Sequence, residues 1–429
     1  MTERLYYADS FLTSFDAVVT DIQEVSRANG LSLWRVELNR SAFYPTSGGQ
    51  PHDTGRLLAT ARSGAELSAE IVGVEEDEQD GRVWHHTAKP LVAGTHVRGV
   101  VDAARRLDHI QQHSGQHLLS AAFLQICGAP TVSFHLGEAS STIDLTVDMA
   151  GRLTDATLQQ VEDLANQIIA DDRPVTVTVA SREQAEAWLA AGELRKLPPR
   201  AGNLRIVDIA DFDRNACGGT HVRSTGQIGG LYLRGTEKIK QAVRVEFVCG
   251  LRAMRAARDD FHTLTDAARE LSIGPKEVPE AILRLQADAK HAARQIRTLT
   301  GELVRYRAEE LIRQTPLDKG LRCVRLQLTP PDAPDAGHAK LLASKLTAQS
   351  ERTVALLSWT PDAAGTDAAT IIFARSGDLA FDCGTVLRET LAANGGRGGG
   401  SKDMAQGSVS QERLQAAMDS LAGVCSEIS

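Results

Sequence analysis

Two dyads hold the residues best suited to chemistry. The first is His113–Ser114–Gly115–Gln116–His117, and the second is Cys217–Gly218–Gly219–Thr220–His221. Side chains four apart share one face of a helix, so both imidazoles of the first dyad can reach one ion. The glycines of the second permit a tight loop that brings thiolate and imidazole together. Imidazole plus thiolate is a ligand set that suits zinc. Either dyad alone is more often a pair of ordinary core or surface side chains. Taken together, with apolar residues around the first and a glycine turn inside the second, they weigh a metal site evenly against that plainer reading.

The elements that must position these dyads follow from hydrophobic periodicity. Ile110, Leu118, Leu119, Phe123 and Ile126 form an apolar stripe that predicts a helix over about 108–126. Residues 1–100 alternate in short stretches such as LSLWRVELN, divided by Gly, Asp and Pro, and read as β-strands with turns. Strands are predicted near 131–134, 141–147, 175–179, 204–209 and 229–233, with an amphipathic helix carrying Leu158, Val161, Leu164 and Ile168. The texture changes after Gly250. Residues 252–314 are mostly good helix formers, broken by SIGPKEVP at 272–279, and predict a helical arm or hairpin. Beyond Pro316, strands at 322–328, 353–359 and 369–375 surround a helix near 338–350, and helices follow near 384–393 and 410–421. That alternation predicts a small α/β domain.

Composition bounds the class. The 429 residues suffice for about three domains, and 42% hydrophobic with 24% charged residues is the balance of a soluble globular protein. The cysteines at 127, 217, 249, 323, 383 and 425 form no CxxC pair, which fits a reducing compartment. The start, MTERLYYADS, lacks a basic segment followed by an apolar one, and no apolar run approaches the ~20 residues of a membrane helix. A cytoplasmic location and no membrane partner are expected. The net charge of -8 does not advertise a nucleic-acid binder. Residues 234–258, however, carry Arg234, Lys238, Lys240, Arg244, Arg252, Arg255 and Arg258 against Glu237 and Glu246. That stretch is basic enough to meet a phosphate backbone, although alone it reads as a solvated face.

Several segments resemble one family. QQHSGQHLLSAAF and ACGGTHV look like the two zinc motifs of the editing domain of alanyl-tRNA synthetases, and more closely like alanyl-tRNA editing proteins of the AlaX type. SAFYPTSGGQPHDTG resembles the family's glycine-rich N-terminal motif, and TVSFHLGEASSTIDL, FDRNACGGTHV and RVEFVCG fit its long form. The resemblance covers nearly the whole chain. It implies that His113, His117, Cys217 and His221 are ligands of Zn2+. Four protein ligands would close a tetrahedral site, whereas catalytic zinc keeps a position for water or substrate, so a loose ligand and expanded coordination are both open. The ion's role, activating water or positioning the aminoacyl group, is open as well.

The resemblance also reaches residues outside the dyads. Gln50 is similar to a family glutamine near the editing pocket, where an amide orients water or the ester carbonyl; a turn residue after Gly48 and Gly49 is the alternative. Thr131 resembles a hydroxyl residue that contacts the serine side chain; a strand threonine is the alternative. Asp213 is expected either to orient a ligand or to cap the loop. Gly395–Gly400, read as a glycine-rich turn before a helix, resembles a motif of the DHH-associated domain that holds tRNA, with a flexible linker as the alternative. No phosphoesterase domain accompanies it, so a nuclease is not expected.

The expected fold class is therefore α+β. Residues 1–100 form a β-rich, barrel-like editing subdomain and 101–250 an α/β zinc editing core. A helical arm over 251–315 and a tRNA-binding α/β domain over 316–429 complete it. The expected activity is hydrolysis of mischarged aminoacyl-tRNA(Ala), seryl first and glycyl second, in trans and without ATP. A pocket made for alanine rejects glycine, or an added hydroxyl, only weakly, so a second hydrolytic site is needed. The rival readings are a seryl-tRNA(Thr) deacylase and a non-catalytic tRNA-binding protein with structural zinc. The expected partner is mischarged tRNA(Ala), and a homodimer through the arm or the C-terminal domain is the assembly considered.

Overall fold

A computed structural model describes residues 2–428 apart from 29–30, 61–63, 78, 147–152, 200–201, 241 and 362–367. The chain divides into two compact units, Met1–Arg269 and Glu270–Ser429, and the fold is α+β. Among the described residues no helix is long and apolar enough to cross a membrane.

The first unit opens with a seven-stranded antiparallel sheet. Its order is 66–71, 55–60, 96–101, 14–28, 31–38, 83–87 and 73–76. The two outermost strands are separated in the chain only by Val72, whose N–H donates to His86 O at 3.0 Å. The ribbon therefore returns on itself. Alternate side chains, among them Val19, Val36, Leu38, Leu57 and Val97, fill its buried face.

Helix α1, Ala103–Cys127, follows directly. Asp102 caps it by accepting from Ala104 N and Arg105 N, and Gly128 at φ +62° ends it. The helix is a turn longer at its start than the stripe predicts. Amphipathic α2, Asp155–Ala170, packs with α1 against an antiparallel sheet ordered 131–136, 141–146, 242–249 and 231–239. Residue 147 of the predicted strand lies outside the described residues. A three-stranded sheet, 175–180, 204–209 and 213–216, carries the short helix α3, Arg182–Ala190. Helix α3 is not among the elements that periodicity predicts, although Ser181 and Gln184 form a capping box that signals it. Helix α4, Gly250–Glu270, closes the unit. The boundary at Arg269 thus falls inside the stretch read as one helical arm.

In the second unit, helix α5, Val278–Gln314, leads into a five-stranded sheet ordered 322–328, 353–359, 368–375, 404–410 and 397–400. The first pair is parallel and the others antiparallel. The end of α5 and helix α6, Ala336–Gln349, cover one face. Helices α7, Cys383–Ala393, and α8, Gln411–Ile428, cover the other. Strand 353–359 is buried on both faces, which is why it reads as a continuous apolar run. The glycine-rich segment is not a turn before a helix. Arg397–Gly400 is an edge strand paired with Met404–Ser410. A Cβ on Gly407 would lie 2.2 Å from Leu391 of α7 and 2.5 Å from Arg397 O, so close packing accounts for that glycine.

His85 offers a test of the first sheet. It is fully buried, with Nδ1 3.1 Å from Val36 O and Nε2 2.7 Å from Ser41 Oγ. A ring donating to the carbonyl must accept from the hydroxyl, so the neutral form fits. Burial pushes its pKa down to about 4. The unfolded chain then binds the proton first, below ~6.5. Stability is full above that pH and falls as pH drops towards 4. Between pH 7 and 5 this group should remove about 2 kcal/mol. His85→Gln, with nothing to protonate there, should show that much less acid sensitivity in urea titrations of the first unit.

Candidate metal centre

The four dyad residues meet. One ligand atom from each of His113, His117, Cys217 and His221 lies within 4.8 Å of the others. Cys217 Sγ is 3.4 Å from His113 Nε2 and 3.3 Å from His221 Nε2. Donors on a tetrahedral zinc stand roughly 3.5 Å apart, given metal–ligand bonds of ~2.0–2.3 Å. The three imidazoles are buried. The cluster could therefore hold a metal ion, with the donors closing in on it from the wider spacings.

Each imidazole also has its other nitrogen engaged. His113 Nδ1 is 2.8 Å from Gln50 Oε1, an acceptor, so this ring donates from Nδ1 and leaves Nε2 free to ligate. His117 Nδ1 lies 3.9 Å from Asp213 Oδ2, at ion-pair rather than hydrogen-bond distance. His221 Nδ1 is 3.4 Å from Ser114 Oγ. Outer partners of this kind fix the tautomer and orientation of metal-binding histidines.

The electrostatics agree. Burial alone would push the Cys217 thiol up, but His113, His221 and His117 draw it well below its ordinary value, towards thiolate. Against the same burial penalty, that thiolate and Asp213 hold His117 up at about 9. Burial and the neighbouring imidazoles bring His221 down to about 3. Cys217 and His221 thus lean towards the thiolate and neutral imidazole that a metal requires, and His117 would release its proton on binding one.

The second dyad is placed by backbone. Cys217 N donates to Arg205 O, extending the pairing of 204–209 with 213–216. Arg205 Nη1 donates to Cys217 O at 3.0 Å and Gly219 O at 2.7 Å, gripping the loop. A Cβ on Gly219 would lie 2.1 Å from His113 Cε1, so only glycine lets the loop approach that ring.

Gln50 takes a different role from the one expected. It is fully buried, and its amide is consumed by the protein. Oε1 accepts from His113 Nδ1 and Thr220 N, while Nε2 lies 2.9 Å from Thr220 Oγ1. It positions the imidazole and the loop rather than a water. Thr131 stands at the head of strand 131–136, whose Phe134 ring lies 5.6 Å from that of His113. Its hydroxyl donates to Ser120 Oγ at 2.8 Å, which also accepts from Gln116 Nε2. Gln116 Oε1 is buried without a hydrogen-bond partner among the described residues.

Ser114, Thr220, Gln116 and Ser120 escaped sequence reading. Their signal was available: the dyad helix is polar along much of its length, and a buried helix must use such groups. Beside Cys217 and Gly218 opens a cleft of about 810 Å³, walled by Tyr7, Tyr44, Arg4 and Arg205. The basic stretch 234–258 is partly neutralised. Arg234 pairs with Asp260, Arg244 with Asp144 and Arg252 with Asp108.

Residues 204–246, which span the second dyad, match the threonyl and alanyl tRNA synthetase second additional domain. Residues 324–427 match the DHHA1 domain. The chain is 30% identical over 422 residues to the alanine–tRNA ligase of Methanoculleus marisnigri, across 97% of this chain and 43% of the ligase. It is 31% identical over 407 residues to that of Natronomonas pharaonis, across 95% and 42%. With the Pyrococcus abyssi ligase it shares 33% over 325 residues, across 72% and 32%. The chain spans less than half the length of these relatives.

Gln50→Ala should leave His113 free to rotate and to change tautomer. Metal affinity, measured by competition with a chromophoric chelator, should weaken ~10- to 100-fold. Unchanged affinity would show that His113 is oriented by other contacts.

Proposed function

The chain is homologous to alanine–tRNA ligases and carries the second additional domain of threonyl and alanyl synthetases, and from that premise we propose that it is a zinc-dependent deacylase of mischarged tRNA(Ala). The observation that carries this reading is the buried three-imidazole, one-thiolate cluster with each outer nitrogen engaged. His113, His117, Cys217 and His221 would hold Zn2+, which would supply a Lewis acid beside the ester. Water would add across the ester: its hydroxyl would end on the acyl carbon as the carboxyl of the free amino acid, and its proton on the ribose oxygen of the released tRNA as the ester C–O bond breaks.

The chain's own residues would bind and discriminate. Tyr7, Tyr44 and the Arg4 and Arg205 guanidiniums in the adjoining cleft suit a terminal base and phosphate. Thr131 uses its proton on Ser120, so towards a substrate its oxygen is an acceptor. A serine side chain supplies the matching O–H, and glycine and alanine do not. Gln116 Oε1 is a second acceptor on the helix face that carries the first dyad. The second unit, matching the DHHA1 domain, would add affinity by holding the tRNA body. That match and the alanine–tRNA ligase relatives favour the alanine system over a seryl-tRNA(Thr) editor.

Deacylation of seryl-, glycyl- and alanyl-tRNA(Ala) and of seryl-tRNA(Thr) tests the reading. Seryl-tRNA(Ala) should be hydrolysed and alanyl-tRNA(Ala) spared. No hydrolysis above the spontaneous rate would leave a structural metal and a tRNA-binding protein. Cys217→Ala and His117→Ala should lose bound zinc and activity together, with folding checked separately because metal binding and folding are linked. Thr131→Val should slow seryl-tRNA hydrolysis by roughly 2- to 13-fold, the worth of one hydrogen bond, and leave glycyl-tRNA hydrolysis unaltered. Equal loss on both substrates would give Thr131 another role.

A further inference from the structure

Two thiols of the second unit face each other, and hydrolysis uses neither. Cys425, near the end of α8, is buried in the apolar cluster on that side of the sheet. Cys323, on strand 322–328, packs against the same cluster, and both are free thiols. Polar contacts hold the strand in register with the helix. Gln327 Nε2 donates to Gln415 Oε1 at 2.9 Å, and Arg325 Nη2 donates to Asp419 Oδ1 at 2.6 Å. Each step of two residues down the strand, about 6.6 Å, matches a step of four up the helix, about 6 Å. Cys323 comes next on that strand face, beside the turn that carries Cys425. There the two sulfurs are in hydrogen-bond contact, with the Cys425 thiol as donor. That bond draws the Cys323 thiol below its ordinary value in spite of burial, and Arg325 adds to it.

The two sulfurs are unequal. Cys323 is half-buried, whereas Cys425 is 3% exposed. Cys323 is thus the sulfur that a small reactant meets first, and its lean towards thiolate makes it the nucleophile. Cys383, the third thiol of the cluster, is fully buried, and burial pushes it up to about 12.

We propose that Cys323 and Cys425 form a reversible disulfide, a modification site whose reactant is a peroxide. The Cys323 sulfur, on giving up its proton, attacks one peroxide oxygen. The O–O bond breaks, the departing hydroxide takes up that proton as water, and Cys323 is left as a sulfenic acid. The Cys425 sulfur then attacks the Cys323 sulfur. An S–S bond forms, the S–O bond breaks, and the hydroxyl leaves with the Cys425 proton as a second water. The two sulfurs together lose two electrons, and the peroxide gains them. The new bond closes a loop of about 100 residues and ties the last helix to the edge strand of the sheet. In a reducing compartment the pair rests as thiols, and a small thiol reverses the bond by exchange.

Hydrogen peroxide added to the full chain, followed by alkylation of free thiols and peptide mass mapping without reduction, tests the pair. The Cys323 and Cys425 peptides should appear joined, and dithiothreitol should return both as thiols. Cys425→Ala removes only the second sulfur, so Cys323 should stop at the sulfenic acid and be trapped by dimedone. Cys323→Ala should leave Cys425 unmodified under the same exposure. Joining of Cys323 or Cys425 to any other cysteine overturns the proposal. So does a wild type in which Cys323 advances to sulfinic acid while Cys425 stays a free thiol, or one in which Cys383 reacts before either. These outcomes are read on the wild type alone and do not depend on the folding of a variant.

Discussion

The arrangement of the candidate metal centre depends on a buried ion pair that touches none of the four clustered residues. Arg106, on the first turn of α1, and Asp53, near the end of the glycine-rich N-terminal motif, are both buried. They are joined through Arg106 Nε and Nη2. Removing two charges from water is expensive unless every remaining hydrogen-bonding position is filled. Here Arg106 also donates to Ser10 O and Ala42 O, and Asp53 accepts from Tyr44 N. The pair thus gathers residues 10, 42–44 and 53 against the helix. From that junction Gln50 reaches His113, and Ser10 Oγ accepts from His221 N. The N-terminal segment is therefore part of the candidate site, because its loops orient the His113 imidazole through Gln50 and hold the backbone of His221 through Ser10.

The outer partners of the imidazoles come from separate places: Gln50 from the N-terminal motif, Asp213 from the three-stranded sheet, and Ser114 from α1 itself. No single element makes the site. Asp213 is in turn held by Arg195 at 2.7 Å and Asn215 at 3.0 Å. Gln112 pairs with both backbone groups of Cys249, tying α1 to the end of a strand. Polar side chains on a buried helix are costly when unpaired. On α1 most are spent holding its neighbours.

How much was legible in the sequence follows from the kind of signal each residue carries. The dyads are local, so spacing along a helix and glycines in a loop revealed them. Long periodic helices and the doubly buried strand 353–359 were visible for the same reason. Gln50 was found by resemblance, but its role was not, because its partners His113 and Thr220 lie 63 and 170 residues away. Arg106 and Asp53 look like ordinary surface charges until the fold buries them. Strands 213–216 and 397–400 are short and lack β-branched residues. They exist because a neighbouring strand offers unpaired backbone groups, a tertiary cause that propensity does not record. Helix α3 is the exception, since its capping box lay in plain view.

Cys217 continues the ladder of its strand through its N–H to Arg205 O. That feature couples the ion to strand register. Sliding strand 213–216 by one residue against 204–209 would carry the thiolate about 3.3 Å along the sheet and turn it to the opposite face. The three histidines would then enclose a site without its sulfur. A metal bound by this cluster would thus inspect the chain's own folding: it would be held by the one alignment that delivers Cys217 and not by misaligned chains.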